Sequence, residues 1–273
     1  MSHAEYGQVR RTVPGMDVTA LVNQKGGVGK SATTLNVGAA LAEMGRRVMM
    51  IDLDPQGHLT RALGLPDAPE DANLALALLG QWAGELGDLL VSAGPGLHVV
   101  PTSQAMFVLE PQLYTKTGRE WLLSRLLDAF APAFDHCLID CPPSLGALTD
   151  AALAAARADA GHKGRGVIPV QAEDSSLDAL RLLLRQLATL CQVLGIDVPI
   201  GGLVVNLYDG RRGRVATSTL EIFQQRDDVL AVIGDRKEIR EGWRLKQPVV
   251  THAPDSEPAG WYRDLAKRIV DTQ

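Results

Sequence analysis

The stretch Asn23-Gln24-Lys25-Gly26-Gly27-Val28-Gly29-Lys30-Ser31 decides how the rest of the chain is read. An apolar run, Val18 to Val22, precedes it, and Leu35, Val37, Ala40, Leu41 and Met44 follow at helical spacing. Strand, glycine loop and helix start, in that order, turn a glycine-rich string into a phosphate cradle. The glycines let backbone N–H groups turn inward on an anion, and the helix N-terminus adds its dipole and unsatisfied donors. Lys30 can reach the β- and γ-phosphates, and the Ser31 hydroxyl can coordinate Mg2+. Gln24 stands where the common pattern G-x-x-x-x-G-K-[ST] has its first glycine, and Lys25 follows as an added cation. A cation that early in the loop is poorly placed for its own nucleotide and could serve that of a facing subunit.

Downstream, strand-like and helix-like segments alternate. The first helix is expected to stop near Met44-Gly45. Val48 to Ile51 reads as a buried parallel strand delivering Asp52-Leu53-Asp54-Pro55-Gln56-Gly57 at its C-terminal end, where α/β sheets place ligands. Leu74 to Gly96, rich in Leu, Ala and Gly, reads as short helices, Leu97 to Pro101 as a strand and Gly118 to Phe130 as a helix with one apolar side. Cys137-Leu138-Ile139-Asp140 is another short strand ending in an acid, the kind of position from which a phosphate-loop enzyme holds Mg2+. Ala151 to Ala160 reads as helix and Gly161 to Gly166 as a flexible, basic, solvated loop. Val167 to Val170 resumes the sheet, although Pro169 counts against a long central strand. Ser175 or Ser176 is expected to cap a helix to about Leu194, leucine-dense enough for burial on more than one side. Leu203 to Asn206, Thr217 to Gln225, Val229 to Ile233 and Trp261 to Val270 complete the series as strand, helix, strand and amphipathic helix. The pattern predicts an α/β fold: a mostly parallel twisted sheet flanked by helices on both faces, one domain over 17–273 behind a loose tail, 1–16.

Bulk properties narrow the function classes. The chain has 273 residues and a formal net charge of −5, which argues against coating nucleic acid with its whole surface but leaves room for a local basic patch. Aromatics make up 4%, too few for base-stacking platforms. Cys137, Cys141 and Cys191 form no C-x-x-C pair, so reduced thiols fit better than zinc or a cluster. No apolar run approaches the roughly 20 residues that span a bilayer, and the start carries Arg10 and Arg11 without an apolar export segment.

Taken together, Lys25 to Ser31, Asp52 to Gly57 and Leu138-Ile139-Asp140-Cys141-Pro142-Pro143-Ser144 resemble the ParA/Soj family of deviant-Walker ATPases. The resemblance continues through Val170-Gln171-Ala172-Glu173, Asn206-Leu207-Tyr208-Asp209 and Trp243 to Pro248, nearly the whole chain, and Asp-x-Asp-Pro-Gln points to ParA rather than its relative MinD. It implies a P-loop NTPase fold and a cytoplasmic, nucleoid-associated ATPase that binds ATP and Mg2+. It also implies an ATP-dependent homodimer, nonspecific DNA binding, slow intrinsic turnover, stimulation by a ParB-like partner, and action in plasmid or chromosome partitioning. Residue by residue, Lys25 matches the lysine that crosses to the partner's phosphates, Lys30 the in-cis lysine and Ser31 the Mg2+ ligand. Asp54 matches the acid that orients the attacking water, and Asp52 and Asp140 sit near the metal. Gly26, Gly27, Val28, Gly29, Ala32 and Asn206 fall at nucleotide-binding positions. Ser31-Ala32 replaces the usual Thr-Thr with the metal-binding hydroxyl kept. Asn206 and Asp209 share the N-x-x-D spacing that some GTPases use for guanine, so base choice stays open although the family implies ATP.

Arg211 matches a family arginine implicated in DNA binding, with Arg212 and Arg214 beside it. Arg236, Lys237, Arg240 and Arg244 form a second basic run, diluted by Glu238 and Glu241. Such clusters give salt-dependent, sequence-tolerant affinity. The competing expectation is a MinD-like regulator acting on a membrane or another cargo, which needs a basic amphipathic C-terminal helix; Asp264 and Asp271 weaken that reading in favour of a core-packing helix.

Overall fold

The computed structural model describes residues 15–158 and 163–271. In chain order they form β1 Asp17–Leu21, α1 Lys30–Glu43, β2 Val48–Asp52, α2 His58–Ala62, α3 Leu74–Leu79, β3 Val91–Gly94, β4 Leu97–Val100, α4 Met106–Leu113, α5 Leu122–Phe130 and β5 His136–Asp140. There follow α6 Ala147–Ala155, β6 Gly164–Gln171, α7 Asp174–Leu194, β7 Ile200–Tyr208, α8 Arg214–Gln224, β8 Val229–Gly234, α9 Lys237–Leu245, α10 Val249–His252 and α11 Glu257–Asp271. All eight strands join one sheet in the order β3-β4-β2-β5-β1-β6-β7-β8. Every pairing is parallel except β3 with β4. β1 lies between β5 and β6, so the chain leaves it first toward one edge and later returns on its other side. A crevice opens at the C-terminal end of such a strand, and ligands bind there.

The apolar residues of each inner strand serve two cores alternately. Met49 and Ile51 of β2 face one core, Val48 and Met50 the other, as a period of two requires. The first core packs α3 to α8 and the second α1, α2, α10 and α11. Met16, inside the expected tail, is 1% exposed and belongs to the first core, while residues 1–14 of that tail lie outside the described residues.

Several local expectations change. The segment before Leu97 contains a strand as well as short helices: β3 folds back antiparallel on β4, its four residues half-exposed and so without a buried-strand signal. The basic loop is shorter than expected, because Gly164, Arg165 and Gly166 belong to β6; residues 159–162 lie outside the described residues. A side chain at Gly164 would sit 2.0 Å from the Arg157 carbonyl oxygen, so only glycine lets the strand pass the end of α6. Arg165 is 4% exposed, and its guanidinium donates to the Ile269 carbonyl in the last turn of α11, where helix carbonyls lack partners. Pro169 is tolerated because β1 has ended beside it. The Val167 carbonyl accepts from Val22 N, and two residues on the Pro169 carbonyl accepts from the Asn23 side chain, so the missing N–H faces no strand. At the start of α7 the cap position is Glu173 rather than Ser175 or Ser176. The helix buries one side only, through Leu180, Leu183, Leu187 and Leu190, leaving Leu182 and Val193 at 49% and 75% exposure.

Candidate nucleotide site

The glycine loop lies at the C-terminal end of β1 and leads directly into α1. Gly27 and Gly29 have φ of 75° and 86°, the left-handed region that a side chain disfavours. Gly29 is also closed sterically: a Cβ there would lie 2.9 Å from Asn206 Nδ2. No side chain caps α1 and no acid occupies its first turn, so its N–H groups remain open to an anion. Asn23 pins the loop at its entry, donating to Pro169 O at 2.7 Å and accepting from Lys25 N at 2.9 Å.

Lys30 is 7% exposed, and among the described residues its ammonium donates to two loop carbonyls, Asn23 O at 3.1 Å and Lys25 O at 3.4 Å. Burial pushes its pKa below the ordinary lysine value, opposed by Asp140, Cys141 and Asp54. A phosphate offers this desolvated cation a stronger partner than the carbonyls do.

Opposite stand the acids. β2 and β5 are neighbours whose register pairs Asp52 with Asp140, and both are 0% exposed. Asp52 Oδ2 accepts from Thr60 N at 2.8 Å and Thr60 Oγ1 at 2.6 Å. Among the described residues, Asp52 Oδ1 and both Asp140 oxygens are buried without a well-formed hydrogen bond. Burial raises the Asp52 pKa to about 6, with the Thr60 hydrogen bonds pulling it down. Asp140 is pushed well above the carboxylate range by burial and then by Asp52, while the Ser31 hydroxyl and Lys30 oppose the shift. Buried carboxylate oxygens without well-formed hydrogen bonds beside a serine hydroxyl are a donor set suited to Mg2+. Among the described residues no group of three or more His, Cys, Asp or Glu could hold a metal ion. Mg2+ bound mainly through a hydroxyl, waters and substrate phosphates needs no such group. Asp54, 5% exposed, sits past the end of β2 in a turn closed by Gln56 N on its Oδ1 at 2.9 Å.

The added lysine has a partner that sequence reading missed. Lys25 Nζ lies 2.5 Å from Glu173 Oε2 and 2.9 Å from Ser175 Oγ, at the junction of β6 and α7. Gln171 Nε2 donates to Gly27 O at 3.1 Å in the same seam. Asn206, 2% exposed, directs its amide at Val28 O and Thr33 Oγ1, 3.0 and 2.9 Å away, and so braces the loop from behind. Beyond it a cleft of about 110 Å3 is lined by Gln171, Ala172, Glu173, Leu207, Tyr208, Asp209 and Ala216. The Asp209 carboxylate is engaged by Arg211, through its backbone N–H at 3.0 Å and its guanidinium at 2.9 and 3.0 Å.

The basic residues do not form one uncompensated patch. Arg211 is paired with Asp209, and Arg240 with Asp235. Arg236 stacks 5.2 Å above the Trp261 ring and lies 3.5 Å from Glu257. Lys237 and Arg244 are exposed on α9. The side chains of Arg212 and Arg214 lie outside the described residues.

Comparison with known proteins agrees with this geometry. The AAA_31 family, an AAA domain, matches residues 16–199. The sporulation initiation inhibitor protein Soj of Bacillus subtilis is 34% identical over 257 residues, covering 93% of this chain and 98% of its own. The chromosome partitioning protein ParA of Caulobacter vibrioides is 31% identical over 260 residues, 94% of each chain. A cobyrinic acid a,c-diamide synthase from Mycobacterium smegmatis, solved with a bound ATP analogue and magnesium, superposes with a TM-score of 0.75 at 32% identity, over 92% of this chain and 93% of that one. With the strand order, the loop and the paired acids in place, the chain belongs to the ParA/Soj family of P-loop ATPases.

Proposed function

We propose that this chain is an ATP-switched partition ATPase: it binds ATP and Mg2+, closes as a homodimer, holds DNA without sequence preference, and hydrolyses ATP when a ParB-like partner stimulates it. The observation that carries the reading is the second loop cation. Lys25 points away from the cradle to Glu173 and Ser175, where it can be handed to a facing subunit's phosphates. Lys30 and the α1 N-terminus would hold the β- and γ-phosphates, and Ser31, Asp52 and Asp140 would hold the metal. Bound Mg2+ would neutralise charge on the β- and γ-oxygens. Asp54, fixed by its turn, would accept a hydrogen bond from the attacking water and aim it in line. Phosphoryl transfer asks little more of a protein than this positioning.

The C-terminal helix counts against a membrane-binding surface on α11. The apolar side of α11, Tyr262, Leu265, Ala266 and Ile269, is buried in the second core, and Arg263 fixes the helix to Glu43 at 2.7 and 2.9 Å. No helix of the described residues is long and apolar enough to cross a membrane. The test is binding of random-sequence plasmid DNA with and without ATP across a salt series. ATP-dependent binding that weakens as salt rises is expected; if ATP alters neither DNA affinity nor oligomeric state, the proposal fails.

A further inference from the structure

We infer that Thr60 and Thr102 form a hydroxyl relay that positions the two acids of the nucleotide site, Thr60 choosing the Asp52 oxygen presented to the metal and Thr102 holding the turn that aims Asp54. Both threonines are buried, at 0% and 1% exposure, and they come from separate elements, α2 and the segment after β4. Thr60 directs its backbone N–H and its hydroxyl at the same oxygen, Asp52 Oδ2, at 2.8 and 2.6 Å. That oxygen already takes two donors, and among the described residues Oδ1 is buried without a well-formed hydrogen bond. Thr60 Oγ1 also accepts from Thr102 N at 3.0 Å, and its single proton goes to Asp52, 2.6 Å away.

Thr102 continues the chain toward Asp54. Its hydroxyl donates to the Asp54 carbonyl at 3.1 Å, and Gly57 N donates to the same carbonyl at 2.9 Å. Its methyl fills the space beside Gly57, where a Cβ would approach Thr102 Cγ2 to 2.7 Å. One uninterrupted path therefore runs from the metal acid through two hydroxyls to the turn that carries the water-orienting acid. A group supporting a metal ligand in this way commonly governs metal affinity or turnover without touching substrate. Both threonines are positioning residues, and the inference rests on the metal and water roles proposed above for Asp52 and Asp54.

The two arms separate in a binding and turnover experiment on the full chain. Fluorescent ADP is titrated in EDTA and then at increasing Mg2+, and steady-state ATPase gives kcat and KM. Thr60→Ala should leave affinity in EDTA unchanged and raise the Mg2+ concentration at half-effect by about tenfold or more, with Thr60→Ser restoring it. Thr102→Val keeps the methyl and should leave the Mg2+ midpoint unchanged while lowering kcat about tenfold at constant KM, with Thr102→Ser recovering turnover. Should Thr60→Ala melt before binding can be read, the serine variant and the Thr102 arm decide alone. An unmoved Mg2+ midpoint in Thr60→Ala, serine variants as defective as the deletions, or a Thr102→Val effect on KM rather than kcat would overturn the relay. If wild-type protein shows no Mg2+ effect on nucleotide binding, the metal reading falls and the relay with it. A wild-type Mg2+ effect that both threonine variants keep in full strikes the relay alone.

Discussion

Replacing Glu173 by alanine should tighten the nucleotide-bound dimer. In the single subunit Glu173 holds Lys25 at 2.5 Å, with Ser175 at 2.9 Å, and that pairing must break before Lys25 can reach across to another subunit. The two side chains are 28% and 44% exposed, so the pair is worth less than a buried one. Exposed pairs contribute about 0.2–1 kcal/mol, and partial burial with a charge-assisted bond sets this one near the upper end. A dimer breaks two such pairs, so removing Glu173 should gain about 1–2 kcal/mol, a five- to thirtyfold lower dissociation constant. Sedimentation velocity in a non-hydrolysable ATP analogue and Mg2+ measures it directly. High salt should shrink the difference between wild type and variant, because the contact removed is ionic. A dimer constant that stays put or weakens in Glu173→Ala would refute the idea that Lys25 is held back in the single subunit.

Asp54→Ala should bind ATP normally, lose turnover by about a hundredfold or more as expected for a lost positioning group, and accumulate as an ATP-bound dimer in size-exclusion chromatography with ATP; a monomeric variant with normal turnover would remove Asp54 from its role. Asp52 rises from 3.8 to about 6 on folding, so between those values the folded chain keeps a proton that the unfolded chain has released, and stability falls as pH climbs through that window. Asp52→Asn should therefore raise the melting temperature of the nucleotide-free protein at pH 8, by on the order of 2–3 kcal/mol in stability, and change it little at pH 4; equal shifts at both pH values would contradict this. In DNA binding, Lys237→Ala or Arg244→Ala should reduce the salt slope by about one per subunit, about two for the dimer, and Arg240→Ala by less, because Asp235 already neutralises Arg240. Equal slopes for all three variants would count against that ranking.

The phosphate loop, Asp52 and Asp140 could be read from the chain because their chemistry is written at short range: a glycine string between a strand and a helix, and apolar runs that each end in an acid. The partners of those groups could not. Glu173 meets Lys25 across 148 positions, and Thr102 meets Asp54 across 48, so nothing near either residue in the chain announces the contact. Arg165 misled for a different reason. A cation between glycines has the composition of a loop, yet here Gly164 clears the end of α6 and the guanidinium finds a helix end. Pro169 misled in the opposite sense, since the cost of a missing N–H depends on whether a strand stands opposite, and β1 stops short of it. The edge strand β3 fell below notice because an outer, half-exposed strand of four residues lacks an alternating pattern.

The hydrogen bonds that hold the front of the loop at the end of β1 run to one half of the sheet. Asn23, Gln24 and Lys25 each bond to the β6–α7 segment, through Pro169, Ala179 and Glu173, and Gln171 returns a bond to Gly27. The acids belong to the other half, on β2 and β5, with Thr60 and Thr102 behind them. A nucleotide would thus lie across a seam, gripped by cations that move with one flank and by acids that move with the other. A change of twist along β1 would alter the distance between the two sets without disturbing the order within either. The two flanks then act as separate dials, substitutions around α7 changing how the loop cations are carried and those around α2 how the acids are aimed.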